Sequence, residues 1–388
     1  MNDKKILSAV SYAAASAVFS ILVFFYAEFA NPAEGEPTFS QISDTTAEFD
    51  IPASQFPQTG AQSCALVDAN SGQLLFSKNE NERLPMASTT KIMTAIIAIE
   101  NKSLDDAVLI PKEAQNVEGS SIYLAAGEVL SLGELLYGLM LESGNDAAIA
   151  IAIHTAGSVE NFCNMMNEKA KELGLCNTNF ENPHGLSCEN HYTTAHELAK
   201  LAAYAMKNET FRKIVATEKY IIPAREKCRE RYFFNHNRLL RSLDICDGVK
   251  TGYTLSSGRC LVTSCTVEGG SFVAVTLNDR DDWNDHKEML TFAASNFESV
   301  KIAAAGEILF SYQTAASPKQ RVSVTNAEDI YITRKKGANA PIDLSVEIGA
   351  VGSLVGDTAG YVIVNDEKNC FSFPLTVSGV RSAEGGCV

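Results

Sequence analysis

The chain carries no stripe of positive charge. Its 32 lysines and arginines are outnumbered by 47 aspartates and glutamates, for a formal net charge of −15 at pH 7. Neutralising a phosphate backbone takes clustered basic residues, so nucleic acid is excluded as a partner. None of the six histidines stands in His-Glu-x-x-His spacing, which argues against a zinc metallopeptidase. The ten cysteines include no Cys-x-x-Cys pair and no zinc-finger spacing with histidine, and neither a metal nor any other cofactor is expected. Nor do they make a disulfide framework in so long a chain. Most read as small apolar core residues, and any pairing outside the cytoplasm is not legible in sequence. Internal repeats and low-complexity tracts are missing too. What remains is 388 residues with an ordinary apolar share of 46%, enough for two or three folded units with sizeable cores.

Charge is also absent from residues 6–27, directly after Lys4 and Lys5. A basic flank followed by an apolar run addresses the chain to a membrane. The run exceeds the about 7–15 residues of a signal-peptide core and approaches the roughly 20 that span a bilayer. No clean Ala-x-Ala site follows it. Residues 1–30 therefore read as either a removed signal peptide or an N-terminal membrane anchor, with the rest of the chain exported to the outer face of the cytoplasmic membrane or the cell wall space. Residues 31–60 are rich in Pro, Ser, Thr, Gln and acids, the composition of a flexible linker.

Short apolar runs at 64–67 and 74–76 flank Asp68, Asn70, Ser71 and Gly72, a hairpin signal. A helical block follows. Ser131 with Glu134 and Thr194 with Glu197 form capping boxes, while Gly157 and Gly174 stand where helices from Asp146 and Ser158 would end. Strands return at 261–265 and 272–277 around Gly269 and Gly270, and 288–297 is helical by composition. This order implies an α+β domain over about 61–303, an antiparallel sheet with a helical block. Short alternating strands at 322–324, 330–332, 342–346 and 361–364 then imply a small all-β sandwich over 304–388.

Three short motifs carry chemistry. Ser88-Thr89-Thr90-Lys91 opens an apolar helix through Ile92, Met93, Ile96 and Ile97, and residues three apart share a helix face, so Lys91 can reach the Ser88 hydroxyl. Serine is a poor nucleophile until a base takes its proton, and lysine is such a base only when burial or a nearby cation lowers its pKa. Ser143-Gly144-Asn145 falls between two helices, where a turn can project a hydroxyl and an amide into a cleft. Lys250-Thr251-Gly252, before a strand, suits an extended peptide with a free carboxylate along a strand edge. Singly, each has an ordinary explanation as a helix cap or a surface turn.

Together and in this order, the three are the signature of penicillin-binding proteins and serine β-lactamases. Over about 63–298 the chain resembles the D-alanyl-D-alanine carboxypeptidases among the low-molecular-mass penicillin-binding proteins. Asp68-Ala69-Asn70-Ser71-Gly72, Asn182-Pro183-His184-Gly185-Leu186 and Asp247-Gly248-Val249 before Lys250 add to the likeness. The resemblance implies Ser88 as acyl-enzyme nucleophile, Lys91 as general base and Ser143 as proton relay. Asn145 would hold the substrate backbone, and Lys250 and Thr251, with Gly252 beside them, would face the terminal carboxylate. The backbone N–H groups of Ser88 and Tyr253 would form the oxyanion hole, and Arg280 would assist with the carboxylate. The implied partners are peptidoglycan stem peptides and, as covalent inhibitors, β-lactam antibiotics, with the membrane reached through the N-terminal segment. A serine β-lactamase is disfavoured because no Glu-x-x-Leu-Asn stretch lies between Asn145 and Lys250. A catalytically weak wall-binding scaffold of the same fold is the other alternative, and the retention of Ser88 and Lys91 opposes it.

Overall fold

The computed structural model describes residues 49–314, 317–348, 354–367 and 369–382. The expected anchor or signal at 1–30, the first part of the expected linker and the tail at 383–388 lie outside them. Two compact units result: one contains the described residues up to Glu307 together with Glu328–Ala338, the other Ile308–Ala327 and the described residues from Asn339 on.

The first unit begins with the hairpin β1 (Ser63–Asp68) and β2 (Leu74–Lys78), then a 3-10 turn at Ala87–Thr90 leading into α1 (Lys91–Asn101). The short pair β3 (Ala107–Leu109) and β4 (Val129–Ser131) precedes α2 (Leu132–Leu141), α3 (Asn145–Ala156), α4 (Val159–Glu172), α5 (Ala195–Lys207) and α6 (Glu209–Ala216). A ribbon of β5 (Lys219–Ile222) and β6 (Arg231–Phe234) and the one-turn α7 (Leu239–Ser242) lead to β7 (Cys246–Thr254), β8 (Gly258–Val267), β9 (Gly270–Leu277) and α8 (Asp282–Asn296). The central sheet is antiparallel in the order β2-β1-β9-β8-β7, so β7 is an edge strand.

Alternation along the strands divides two cores. Ala65, Val67, Val273 and Val275 face the helical block, whereas Leu66, Phe272 and Ala274 pack with Met289, Leu290 and Phe297 on the α8 side. Side chains i and i+2 of a strand share a face, which is why one sheet can serve both layers. In α1 every residue from Lys91 to Ala98 is buried. A helix apolar all round belongs inside a core, and fully burying each Ile contributes about 1.5–3 kcal/mol. Its placement forces Lys91 out of water.

Four expectations change. Residues 49–60, assigned to the linker, are packed: Phe49 lies 4.7 Å from Phe297 and Phe56 5.1 Å from Phe292, ring centre to ring centre, because these aromatics complete the α8-side core. Helix α8 starts at Asp282, before the expected 288, with Asp282 and Asp285 in its first turn, where carboxylates favour the helix dipole. The Lys250-Thr251-Gly252 motif lies inside β7 instead of before a strand. The strand expected at 330–332, β13 (Ile330–Lys335), leaves the C-terminal unit. It pairs with β10 (Phe297–Ala303) of the first unit, and the Thr333 hydroxyl donates to buried Asp68 at 2.8 Å. The first unit therefore does not end at 303.

The C-terminal unit is all-β, as expected. Its described strands are β11 (Leu309–Thr314), β12 (Ser317–Thr325), β14 (Ile342–Ile348), β15 (Thr358–Asp366) and β16 (Asn369–Ser382), with β13 (Ile330–Lys335) belonging to the first unit. They form one antiparallel sheet in the order β11-β12-β16-β15-β14. The nine described cysteines are free thiols, six of them buried.

Candidate active site

Ser88 sits in the 3-10 turn before α1, half-buried among fully buried neighbours. Ala87 before it has φ +48°, a left-handed conformation that lets the chain turn sharply into the helix. Strand β7 presses on this turn. A Cβ at Gly252 would lie 3.0 Å from Ser88 N and 3.1 Å from Ala87 Cβ, so any larger residue would crowd this turn and push its backbone back.

Lys91 is fully buried. Its Nζ lies 2.9 Å from Ser88 Oγ, 2.7 Å from Asn145 Oδ1 and 2.6 Å from His184 O. Burial, then the charge of Lys250, drives its pKa well below the usual lysine range, while Asp146 pulls the other way. A neutral amine has two N–H donors and one lone pair. Asn145 Oδ1 and His184 O can only accept, so they take the two donors. In the neutral form the lone pair is then left for the Ser88 O–H.

Asn145 opens α3, and its Nδ2 donates to Glu118 O at 2.6 Å. Both ends of its amide are thus engaged by the protein, and a substrate carbonyl would use the remaining N–H. The neighbouring Asp146 is buried and accepts from the N–H of Ile122 and Leu124 at 3.0 Å each and from the Ser121 hydroxyl at 2.6 Å. That carboxylate ties the 121–124 segment to the start of α3. Ser143, at φ +61°, is buried, and its Oγ has no hydrogen-bond partner among the described residues. An orphaned buried hydroxyl costs about 1–3 kcal/mol, and here it stands two residues before Asn145.

Lys250 is 1% exposed and donates to Thr251 O at 3.0 Å. Burial pushes its pKa down to about 7, opposed by the charge of Glu142. Glu142 also accepts from Phe234 N–H at 2.6 Å and lies 3.3 Å from His236 Nε2. Tyr253 follows Gly252 on β7 and is 63% exposed. Arg280 is exposed in the connection from β9 to α8, and no hydrogen bond or ion pair joins it to the other expected site residues.

The fold therefore brings Ser88, Lys91 and Asn145 into direct contact, sets Gly252 against the turn that carries Ser88 and places Lys250 within electrostatic reach. Arg280 stays apart. Sequence reading missed the carbonyls of His184 and Glu118, because every residue has one. It also missed Asp146, whose single signal was an acid in the first turn of a helix.

A serine hydroxyl set against a desolvated lysine amine, beside a strand edge, is an arrangement in which a lysine can take the proton that histidine takes in other serine enzymes. A family model described as D-alanyl-D-alanine carboxypeptidase matches residues 51–281, and the chain belongs to that family. It is 36% identical over 287 residues to the D-alanyl-D-alanine carboxypeptidase DacF of Bacillus subtilis (strain 168), covering 71% of this chain and 73% of that protein. It is 30% identical over 303 residues to DacA of Escherichia coli (strain K12), covering 72% of each. Among solved structures, penicillin binding protein 5 from Haemophilus influenzae superposes with a TM-score of 0.70 at 29% identity, over 83% of this chain and 98% of that one. The Streptomyces K15 DD-transpeptidase gives 0.58 at 32% identity, over 61% and 98%.

Proposed function

We propose that this chain removes the terminal D-alanine from peptidoglycan stem peptides through an acyl-enzyme on Ser88. The three contacts of Lys91 Nζ carry the reading, because they turn a buried lysine into a base aimed at one hydroxyl. Lys91 takes the Ser88 proton as Oγ attacks the carbonyl of the penultimate residue. The N–H groups of Ser88 and Tyr253 hold the oxyanion. As the intermediate collapses, the amine of D-alanine receives the proton, with the unpaired Ser143 hydroxyl as relay. The leaving residue's carboxylate faces Lys250 and Thr251, where it favours the ammonium form of Lys250. Arg280, unbonded to the cluster, contributes long-range attraction for that carboxylate. Water then hydrolyses the ester. A β-lactam presents a strained acyl group beside a carboxylate and acylates Ser88 in the same way.

The site works outside the cytoplasm in this reading, with residues 6–27 as signal or anchor. No described helix is long and apolar enough to cross a membrane, and residues 6–27 lie outside the described set. The test is D-alanine release from a stem pentapeptide: the wild type should release it, Ser88→Ala should not, and equal release by both would sink the reading.

A further inference from the structure

Beyond the contacts of Lys91, the helical block hides one more titratable side chain that reaches the nucleophile's turn. His191 is 3% exposed. Its Nδ1 accepts from Glu181 N–H at 3.0 Å, and its Nε2 lies 2.8 Å from Thr90 Oγ1. An accepting Nδ1 has no proton, so the neutral ring carries its proton on Nε2 and donates it to Thr90. The Thr90 hydroxyl in turn donates to Ala87 O at 2.8 Å. One tautomer alone satisfies all three bonds. Burial and the charge of Lys91 keep the ring neutral, its pKa pushed down to about 4.

The last acceptor in this chain gives it a purpose. Ala87 C=O and Ser88 N–H belong to one planar peptide unit and point in opposite directions. Holding the carbonyl fixes the direction of the N–H. Ala87 needs holding, since its φ of +48° is one that residues with a Cβ avoid. Gly185 walls the same carbonyl, where an added Cβ would lie 1.8 Å from Ala87 O.

We propose that His191 is a positioning residue: through Thr90 Oγ1 it holds the Ala87–Ser88 peptide plane so that the Ser88 N–H is aimed at the acyl group's oxyanion. The inference rests on the Ser88 acyl-enzyme reading above. His191 touches no reacting atom, and Thr90 stands between.

The test compares the full chain with His191→Asn, His191→Gln and Thr90→Val, following acylation by a fluorescent penicillin and resolving noncovalent binding from the acylation rate constant. Asparagine can keep an acceptor near Nδ1 but offers Thr90 no donor; glutamine can place an N–H near Nε2. His191→Asn and Thr90→Val should each slow acylation about tenfold, equivalent to about 1.4 kcal/mol, with noncovalent binding unchanged. The double variant should be no slower than either alone, because both break one chain of bonds. His191→Gln should recover most of the rate. Should His191→Asn fail to fold, the near-isosteric Thr90→Val carries the test. Unchanged rates, additive losses or a glutamine no better than asparagine would overturn the proposal while the Ser88 reading stood. A wild type that takes no label at Ser88 would overturn that reading and the proposal with it.

Discussion

Replacing Lys250 by methionine should make the protein more stable and less able to hold a carboxylate. The side chain is 1% exposed, and its Nζ has one hydrogen bond among the described residues, to Thr251 O at 3.0 Å. Burial lowers its pKa from the ordinary 10.5 to about 7, so the folded chain binds this proton less tightly than the unfolded chain does. Above about pH 10.5 neither form is charged and no penalty exists; the penalty grows as pH falls and is complete below about pH 7. Across that gap, at about 1.4 kcal/mol per pH unit, the upper bound on the destabilisation is about 5 kcal/mol. Relaxation around a buried charge reduces this, and methionine leaves Thr251 O without its donor at about 1 kcal/mol. A net gain of about 2 kcal/mol would raise Tm by about 4–8 °C in a unit of this size. Thermal melts at neutral and alkaline pH read it directly, and the gain should shrink at the alkaline end. A variant less stable than the wild type at neutral pH, or a gain independent of pH, would refute the reasoning.

Two further substitutions bear on the geometry around Lys91 and Ser88. Asn145→Asp sets a carboxylate where Oδ1 now lies 2.7 Å from Lys91 Nζ; this favours the ammonium form, so penicillin labelling at neutral pH should fall by at least about tenfold and recover only at alkaline pH. An unshifted pH profile would remove Lys91 from the role of base. Gly185→Ala adds a Cβ 1.8 Å from Ala87 O at φ +92°, and urea unfolding should show a loss of about 2–4 kcal/mol with slowed acylation; a neutral substitution would mean that the turn gives way freely.

The sequence showed what is local. Ser131 and Glu134 cap α2 reciprocally, as their spacing implies. At Thr194 only half of the expected box forms, because the Glu197 carboxylate is occupied by the N–H of Asn177 at 2.8 Å and by the Thr178 hydroxyl, partners about five turns of helix away in sequence that spacing cannot reveal. The motif residues were legible by type, but the acceptors that orient Lys91 were not, since a backbone carbonyl leaves no trace in sequence. The strand was expected only after Lys250-Thr251-Gly252 because Val249 and Lys250 are both buried, and burial on two faces erases the alternation that marks a strand. The alternation of β13 was visible, but a period of two does not say which sheet a strand joins.

The central claim is that Ser88 forms the acyl-enzyme with Lys91 as its base, and intact-protein mass spectrometry of the wild type, Ser88→Ala and Lys91→Ala over an hour with penicillin addresses it most directly. One long-lived adduct mapping to Ser88 is expected in the wild type, none in Ser88→Ala and nearly none in Lys91→Ala, since groups acting as one unit lose activity together. An adduct on another residue, or full labelling of Lys91→Ala, would contradict the account; an adduct on Ser88 that vanishes within seconds would make the chain a β-lactamase instead.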